Sequence, residues 1–245
     1  KEFHGCDFSR VRNYILDGHA KRVRQLICFS HFAFPELNSL FSNYSTYIRG
    51  QVKMFQDYDG TVSNVSLPVS QVFYRVPKGS LIDSPNTRFQ FFISKILPML
   101  RHASTGNSST LHQQAHTLIV IPSFFDFTRV RNYLKDHIYN FAAISEYSSQ
   151  SRVDKSRQGF ITGEIKFLLL TERYHFFRRT KLKGIKHVVF YGTPLYSQFY
   201  SEIVNLISND DDCSCWVLFD AFEKLALERI VGSDRMKRMV NGTKD

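Results

Sequence analysis

Three short apolar runs alternate with amphipathic segments between His116 and Pro194. The runs read HTLIVIPS, KFLLLTER and HVVFYGTP, and a segment with helical spacing, FDFTRVRNYL (Phe125 to Leu134), follows the first of them. Such alternation is typical of a parallel sheet that is covered by helices on both faces. The sequence therefore predicts an α/β fold for this part of the chain.

Further segments extend the pattern on both sides. VSQVFYRV (Val69 to Val76) alternates between two prolines and predicts a strand, as does CSCWVLFD near the C-terminus, which precedes one or two helices broken at Gly232. Thr87 to Leu100 is an apolar helical segment that Pro98 should end or kink.

The first part of the chain is patterned differently. An amphipathic helix is expected over residues 8–22, followed by a buried strand in RQLICFS (Arg24 to Ser30). The patterning is poor after that, so we place a domain boundary near residue 65. Residues 1–65 are predicted to be the end of one domain, and residues 66–245 to form a second domain.

Basic residues exceed acidic ones, 32 against 22, which gives a formal net charge of +10. This excess favours an anionic partner, with nucleic acid first. Four cysteines are too few and too unevenly placed for a disulfide framework, and no apolar run is long enough to cross a bilayer. His112 to His116 has Gln113 where a zinc protease needs Glu, and no glycine-rich phosphate loop occurs. We expect no catalytic residue, no metal site and no cofactor.

A basic cluster follows the second apolar run. Six Lys or Arg lie between Thr171 and His187 against one acid, Glu172, and aromatic residues are interleaved with them. Cations for phosphates beside rings for stacking favour single-stranded RNA or another phosphate polymer. The alternative is a solvated basic loop whose rings belong to the core. The candidate phosphate contacts are Arg173, Arg178, Arg179, Lys181 and Lys183.

The order of these segments resembles the second RecA-like domain of DEAD-box helicases. The polar segment SSQSRVDKSRQGFITG is similar to a helicase motif, with Arg152 or Arg157 at its arginine position, and FLLLTER, RRTKLKGI and HVVFYGTP are similar to the motifs that follow. The resemblance implies a RecA-like fold, with the end of another RecA-like domain before it. It also implies RNA contact near Ser123 and Thr171, and more weakly at the two arginines.

One departure concerns the chemistry of hydrolysis. Helicases carry several arginines after the position of Pro194, whereas no Arg or Lys occurs from Leu195 to Ser208. Because such arginines stabilise the transition state of phosphoryl transfer, the sequence indicates a pseudohelicase.

Within this group the chain closely resembles the digestive organ expansion factor family. PSFFDFTRVRNYL, LLLTERYHFFRRTKLKGIKHVVFYGTP and LALERIVGSDRMKRMV carry the resemblance, which extends from Asp7 to Val240. Members are U3 small nucleolar RNA-associated proteins. Membership implies a nucleolar, non-catalytic component of the small-subunit processome, with pre-ribosomal RNA, the small nucleolar ribonucleoprotein and other processome proteins as partners.

Two other functions remain open from the sequence. One is an active ATP-dependent RNA helicase whose nucleotide-binding loop lies upstream of this chain. The other is a pure protein scaffold that docks through the aromatic helix between Phe199 and Ile207.

Overall fold

The computed structural model describes residues 7–54, 56–102, 116–137, 140–208 and 213–241. The chain divides into two compact units, with the division between Gln56 and Asp57. The domain boundary expected near residue 65 stays a prediction. The Ser-rich segment at 103–115 and its HQQAH motif lie outside the described residues, apart from His116.

The first unit consists of short helices. They are α1 (Asn13–Leu16), α2 (Ala20–Val23) and α3 (Pro35–Tyr44), and none of them contains a buried residue. Gly18, at φ 77°, separates α1 from α2. The single amphipathic helix expected over residues 8–22 is therefore replaced by two short ones.

The buried strand expected at RQLICFS is not formed. Residues 24–30 belong to no strand, and Phe29 is 96% exposed. A buried strand needs hydrogen-bonded neighbours and covered faces, and the described residues of the first unit form no strand that could pair with it. The prediction was wrong for this chain because the apolar run lacks these partners.

A six-stranded parallel sheet organises the second unit. Its strands are β1 (Ser70–Arg75), β2 (Thr117–Ile121), β3 (Phe141–Ile144), β4 (Phe167–Thr171), β5 (His187–Phe190) and β6 (Ser214–Phe219). They lie in the order β1-β6-β5-β2-β4-β3, and every neighbouring pair is parallel.

Helices cover both faces of this sheet. One face packs against α4 (Ser84–Phe91), α5 (Leu97–His102) and α6 (Phe124–Asp136). The other packs against α7 (Gln150–Ile161), α8 (Glu172–Arg178), α9 (Ser197–Val204), α10 (Lys224–Val231) and α11 (Ser233–Asn241). Side chains of a strand alternate between faces, so Leu118 and Val120 enter one core while Ile119 and Ile121 enter the other. The predicted α/β class is confirmed, as is the break at Gly232 between the last two helices.

Pro98 does not end the helix, which contains a π-helical segment before it. Phe92–Ile96 form this segment between α4 and α5. Pro98 has no N–H to donate to the carbonyl of Ser94, four residues earlier, and proline is a common cause of local irregularity in a helix. The helical path nevertheless continues, and it keeps Phe92, Ile96 and Leu97 in the core.

Two glycines allow the segment before β1 to cross the α10–α11 junction. The N–H of Ser233 donates to the carbonyl of Tyr58 at 2.9 Å, and the N–H of Tyr58 donates to the Ser233 hydroxyl at 3.1 Å. A Cβ on Gly60 would lie 2.5 Å from the backbone nitrogen of Gly232. The backbones can approach this closely only because neither position carries a side chain.

We predict that Gly60→Ala lowers the free energy of unfolding of the second unit by about 2–4 kcal/mol, through backbone clash added to strain at φ 91°. Urea unfolding followed by the fluorescence of Trp216, the single tryptophan, measures it. Gly184→Ala is the matched control, because Gly184 has φ 79° but a Cβ added there would meet atoms no nearer than 3.6 Å. Equal losses for the two variants would contradict the clash.

Candidate nucleic-acid interface

The carboxyl ends of the strands bring polar side chains together along one edge of the sheet. Thr171 is the last residue of β4, and four other polar residues follow a strand end by no more than three residues: Ser123, Glu146, Thr193 and Asp220. In open α/β sheets, ligands bind outside this edge. Because Ile121 pairs in register with Thr171, Ser123 and Thr171 lie at the ends of adjacent strands.

Ser123 and Thr171 are both helix N-caps. The Ser123 hydroxyl accepts from the N–H of Asp126 at the start of α6, at 3.5 Å. The Thr171 hydroxyl accepts from the N–H of Tyr174 at 3.2 Å and donates to Glu146 Oε2 at 2.9 Å. Thr171 is only 1% exposed, so in this structure its side chain fixes the start of α8 rather than facing solvent.

Helix α8 presents cations and rings to solvent. Arg173 and Arg178 are exposed, and so are Phe176 and Phe177, of which Phe177 is 60% exposed. The guanidinium of Arg173 lies 3.8 Å from Glu146 Oε1 and 5.8 Å from the centre of the Phe177 ring. No ion pair involves Arg178 within the described part of the chain, and it lines a shallow cleft of about 350 Å³ with Glu146, Tyr174 and Phe177.

A second group of exposed rings lies at the same edge, after β2 and β3. Phe125 is 88% exposed, and Phe124 and Tyr147 contact each other edge to face at 5.2 Å between ring centres. Exposed rings next to cations suit the stacking of unpaired bases. Sequence reasoning did not select these three residues, although Phe124 and Phe125 lie three and four residues after the end of β2.

Arg179 is engaged within the protein. It ends α8 in the left-handed conformation, at φ 45°. Its guanidinium forms an ion pair with Glu202 and lies 4.5 Å above the Phe199 ring. Glu202 also accepts a hydrogen bond from His175 Nε2 at 3.0 Å, and burial lowers the pKa of His175. Arg179 therefore ties α8 to α9.

The remaining predicted residues fall into two places. Lys181 and Lys183 are exposed on the loop after α8, and Arg157 of α7 donates to the backbone carbonyl of Lys181 at 3.4 Å. Arg152 is exposed but lines a different cleft, together with Arg131, Lys135 and Lys155. The structure thus brings Arg157 to the basic cluster and leaves Arg152 outside it.

Glu172 binds the backbone of the loop that follows β5. Its Oε1 accepts from the N–H of Leu195 at 2.9 Å and from that of Tyr196 at 3.3 Å. The side chain is buried, and desolvation raises the pKa of Glu172 to about 7 in spite of these bonds. The sequence distinguished Glu172 as the one acid within the basic cluster and as the replacement of an aspartate in the helicase motif, without a structural role. The available signal for its role in holding this loop was the position of Glu172 directly after the apolar run that forms β4.

Arg229 binds the backbone of the same loop. It is buried and donates from Nη2 to the carbonyl of Leu195 at 3.2 Å, and burial lowers its pKa. Beyond the loop, α9 buries Phe199, Tyr200, Ile203 and Val204 against the sheet. The segment without Arg or Lys after Pro194 is therefore an anchored loop and a core helix.

Neither a metal centre nor a membrane span is found among the described residues. They contain no cluster of three or more His, Cys, Asp or Glu suited to a metal ion. None of their helices combines the length and the apolar character that a membrane span requires.

Family models match both units. The model described as "Utp25, C-terminal domain" matches residues 61–245, and the model described as "UTP25, NTP hydrolase-like domain" matches residues 1–52. The chain belongs to the Utp25 family. The resemblance to a family of U3 small nucleolar RNA-associated proteins is confirmed.

Two curated Utp25 relatives illustrate the similarity. The "U3 small nucleolar RNA-associated protein 25" of Schizosaccharomyces pombe is 40% identical over 250 residues, which cover 99% of this chain and 37% of the relative. The corresponding homolog of Xenopus tropicalis is 40% identical over 99% of this chain and 31% of its own length. The chain therefore spans about a third of the length of these relatives. Among solved structures, a DEAD box protein from Methanococcus jannaschii is 17% identical, with a TM-score of 0.49 over 87% of this chain and 48% of that one.

Glu172 makes the stability of the second unit depend on pH. Its pKa is raised from 4.5 to about 7 by folding, so between these values the native state binds more protons than the unfolded state. The free energy of unfolding should then fall by about 3 kcal/mol as pH rises from 4.5 to 7, and level off above pH 7.

Glu172→Gln keeps the acceptor oxygen and removes this titration. We predict that wild type loses about 3 kcal/mol more than Glu172→Gln does between pH 5 and pH 8, measured by urea unfolding with Trp216 fluorescence. Glu164→Gln, at an exposed carboxylate, should behave like wild type. The same pH profile in wild type and Glu172→Gln would show that Glu172 titrates normally.

Proposed function

We propose that the full-length protein is a ribosome biogenesis factor, a non-catalytic component of the small-subunit processome that acts in pre-ribosomal RNA processing in the nucleolus. In this proposal its partners are pre-ribosomal RNA, the U3 small nucleolar ribonucleoprotein and other processome proteins. The names of the relatives, which describe U3 small nucleolar RNA-associated proteins, support this role. This chain would contribute an RNA-binding surface.

The observation that carries the proposal is the pairing of exposed cations with exposed rings on and after α8. Arg178 lines a cleft with Phe177, and Lys181, Lys183 and Phe176 are exposed on α8 or on the loop after it. Cations supply attraction to phosphates that is independent of sequence, and rings stack on unpaired bases. A solvated loop with its rings in the core would lack the second feature.

The candidate residues take different roles in this surface. Arg173, Arg178, Lys181 and Lys183 would contact phosphates directly. Arg179 and Arg157 would position the loop that carries the lysines, since both bind other parts of the protein. Ser123 and Thr171 would set the helix starts beside which the RNA backbone passes.

The non-catalytic part of the proposal rests on the segment after Pro194. No cation occurs there, and Glu172 and Arg229 hold its backbone in place. An active ATP-dependent helicase is the competing function, favoured by the description "NTP hydrolase-like" of the family that matches residues 1–52. ATP hydrolysis by the full-length protein that is stimulated by RNA would favour it.

The RNA surface can be tested by reversing two charges. Arg178→Glu with Lys181→Glu should weaken binding of a labelled single-stranded oligouridine, because two phosphate contacts become repulsive. The slope of log K against log salt should also become shallower by about 1.4, at roughly 0.7 per lost contact. Fluorescence anisotropy of the full chain at several salt concentrations measures both.

A matched variant separates local contacts from net charge. Lys166→Glu with Lys237→Glu makes the same change in charge at exposed positions, with Lys166 at the amino end of β4. This control should keep nearly the wild-type salt slope. If both double variants lose affinity equally, the chain attracts RNA only through its overall charge.

Crosslinking in cells tests the biological target. We expect reads attached to the tagged full-length protein to concentrate in pre-ribosomal RNA, with crosslinked peptides between Thr171 and Lys186, and we expect Arg178→Glu with Lys181→Glu to reduce them. Reads no higher than in an untagged control would move the function to protein scaffolding.

A further inference from the structure

Strand β3 forms one edge of the sheet within the part of the chain that the structure describes. It is the last strand in the order, and among the described strands it pairs only with β4. Beside it lies a cleft of about 580 Å³, whose apolar lining includes Phe141, Ala142, Ala143 and Ile165. An edge strand of this kind presents backbone groups to which another extended segment can bond.

Both walls of the cleft are basic. Helix α6 contributes Arg131 and Lys135, and α7 contributes Arg152 and Lys155, whereas no carboxylate lines the cleft. No ion pair within the described residues neutralises any of these four cations. The β3 edge therefore lies between two cations of α6 and two of α7, none of which forms an ion pair with a described residue.

The spacing of the cations suits an added strand. The side chains of such a strand would alternate between the α6 wall and the α7 wall, with neighbours on one wall about 6.6 Å apart. Arg131 and Lys135 are separated by four residues, or about 6 Å along a helix, and Arg152 and Lys155 by three residues, or about 4.5 Å. Successive acidic residues could thus meet a cation on each wall in turn.

We propose that an acidic, extended segment of a partner protein binds here by adding a strand beside β3. Backbone hydrogen bonds to the β3 edge would hold the segment, and the four cations would select acidic side chains. A second copy of this chain fits poorly, because its net charge is +10. RNA is also less suited, because Phe141 is the one ring among the described lining residues and it is half-buried. This site is separate from the proposed RNA surface.

The probe for the experiment is a fluorescein-labelled peptide with a run of Glu flanked by Val and Thr. Anisotropy with the full chain should show binding that becomes about tenfold weaker in Lys135→Glu with Lys155→Glu, which changes one exposed cation on each wall. The control, Lys78→Glu with Lys224→Glu, makes the same change in charge at exposed positions outside the cleft and should keep wild-type peptide affinity.

Two modified peptides separate strand addition from simple charge attraction. Replacing Glu by Gln should abolish binding, and N-methylation of alternate backbone nitrogens should weaken it about tenfold, because it removes donors to the β3 edge. The proposal is overturned if the N-methylated peptide binds as well as the parent. It is equally overturned if the cleft variant leaves peptide binding intact, or if it weakens oligouridine more than the peptide, which would make the cleft an RNA site.

Discussion

The parallel direction of all six strands is the constraint on which the candidate interface depends. It places every carboxyl strand end on one edge, so residues far apart in sequence, such as Ser123 and Thr171, become neighbours. Each strand must then return through a helix, and the helices that start at this edge carry the cations and rings. The apolar alternation within the strands fills two cores at once. The hydrophobic pattern that folds the sheet therefore also determines which residues form the surface at the carboxyl ends of its strands.

A buried carboxylate supports the backbone at this edge of the sheet. Glu172 is desolvated, yet it satisfies two backbone N–H groups of the loop after β5. Arg229 satisfies the carbonyl of the same loop. The loop is thus held by hydrogen bonds between its backbone and the buried side chains of Glu172 and Arg229. The helix after it, α9, packs in the core. In the proposed function, the exposed side chains of α8 and of the following loop are the part of this edge that binds RNA.

Most of the second unit could be predicted from hydrophobic pattern. Five of the six described strands, the helix after β2 and the break at Gly232 follow from local sequence because both faces of the sheet are covered. The short edge strand β3 was not predicted. The prediction of a buried strand at RQLICFS was wrong for a physical reason. An apolar run forms a buried strand only when other strands are present to pair with it and cover it. The site was harder to predict. Sequence grouped Arg179 with the free cations, but only the fold could show its contact with Glu202, and only the fold could separate Arg152 from the cluster. Phe125 and Tyr147 were missed because exposure of a ring cannot be seen in sequence.

The four cations beside β3 also affect whether copies of this protein associate through this edge at high concentration. An open strand edge is a template for pairing with the same edge of another molecule, and proteins commonly guard such edges with charge. Two copies meeting edge to edge at β3 would bring together Arg131, Lys135, Arg152 and Lys155 from both. Repulsion between these cations would oppose pairing of the two edges and therefore aggregation. A negatively charged chain would instead be attracted to the same edge.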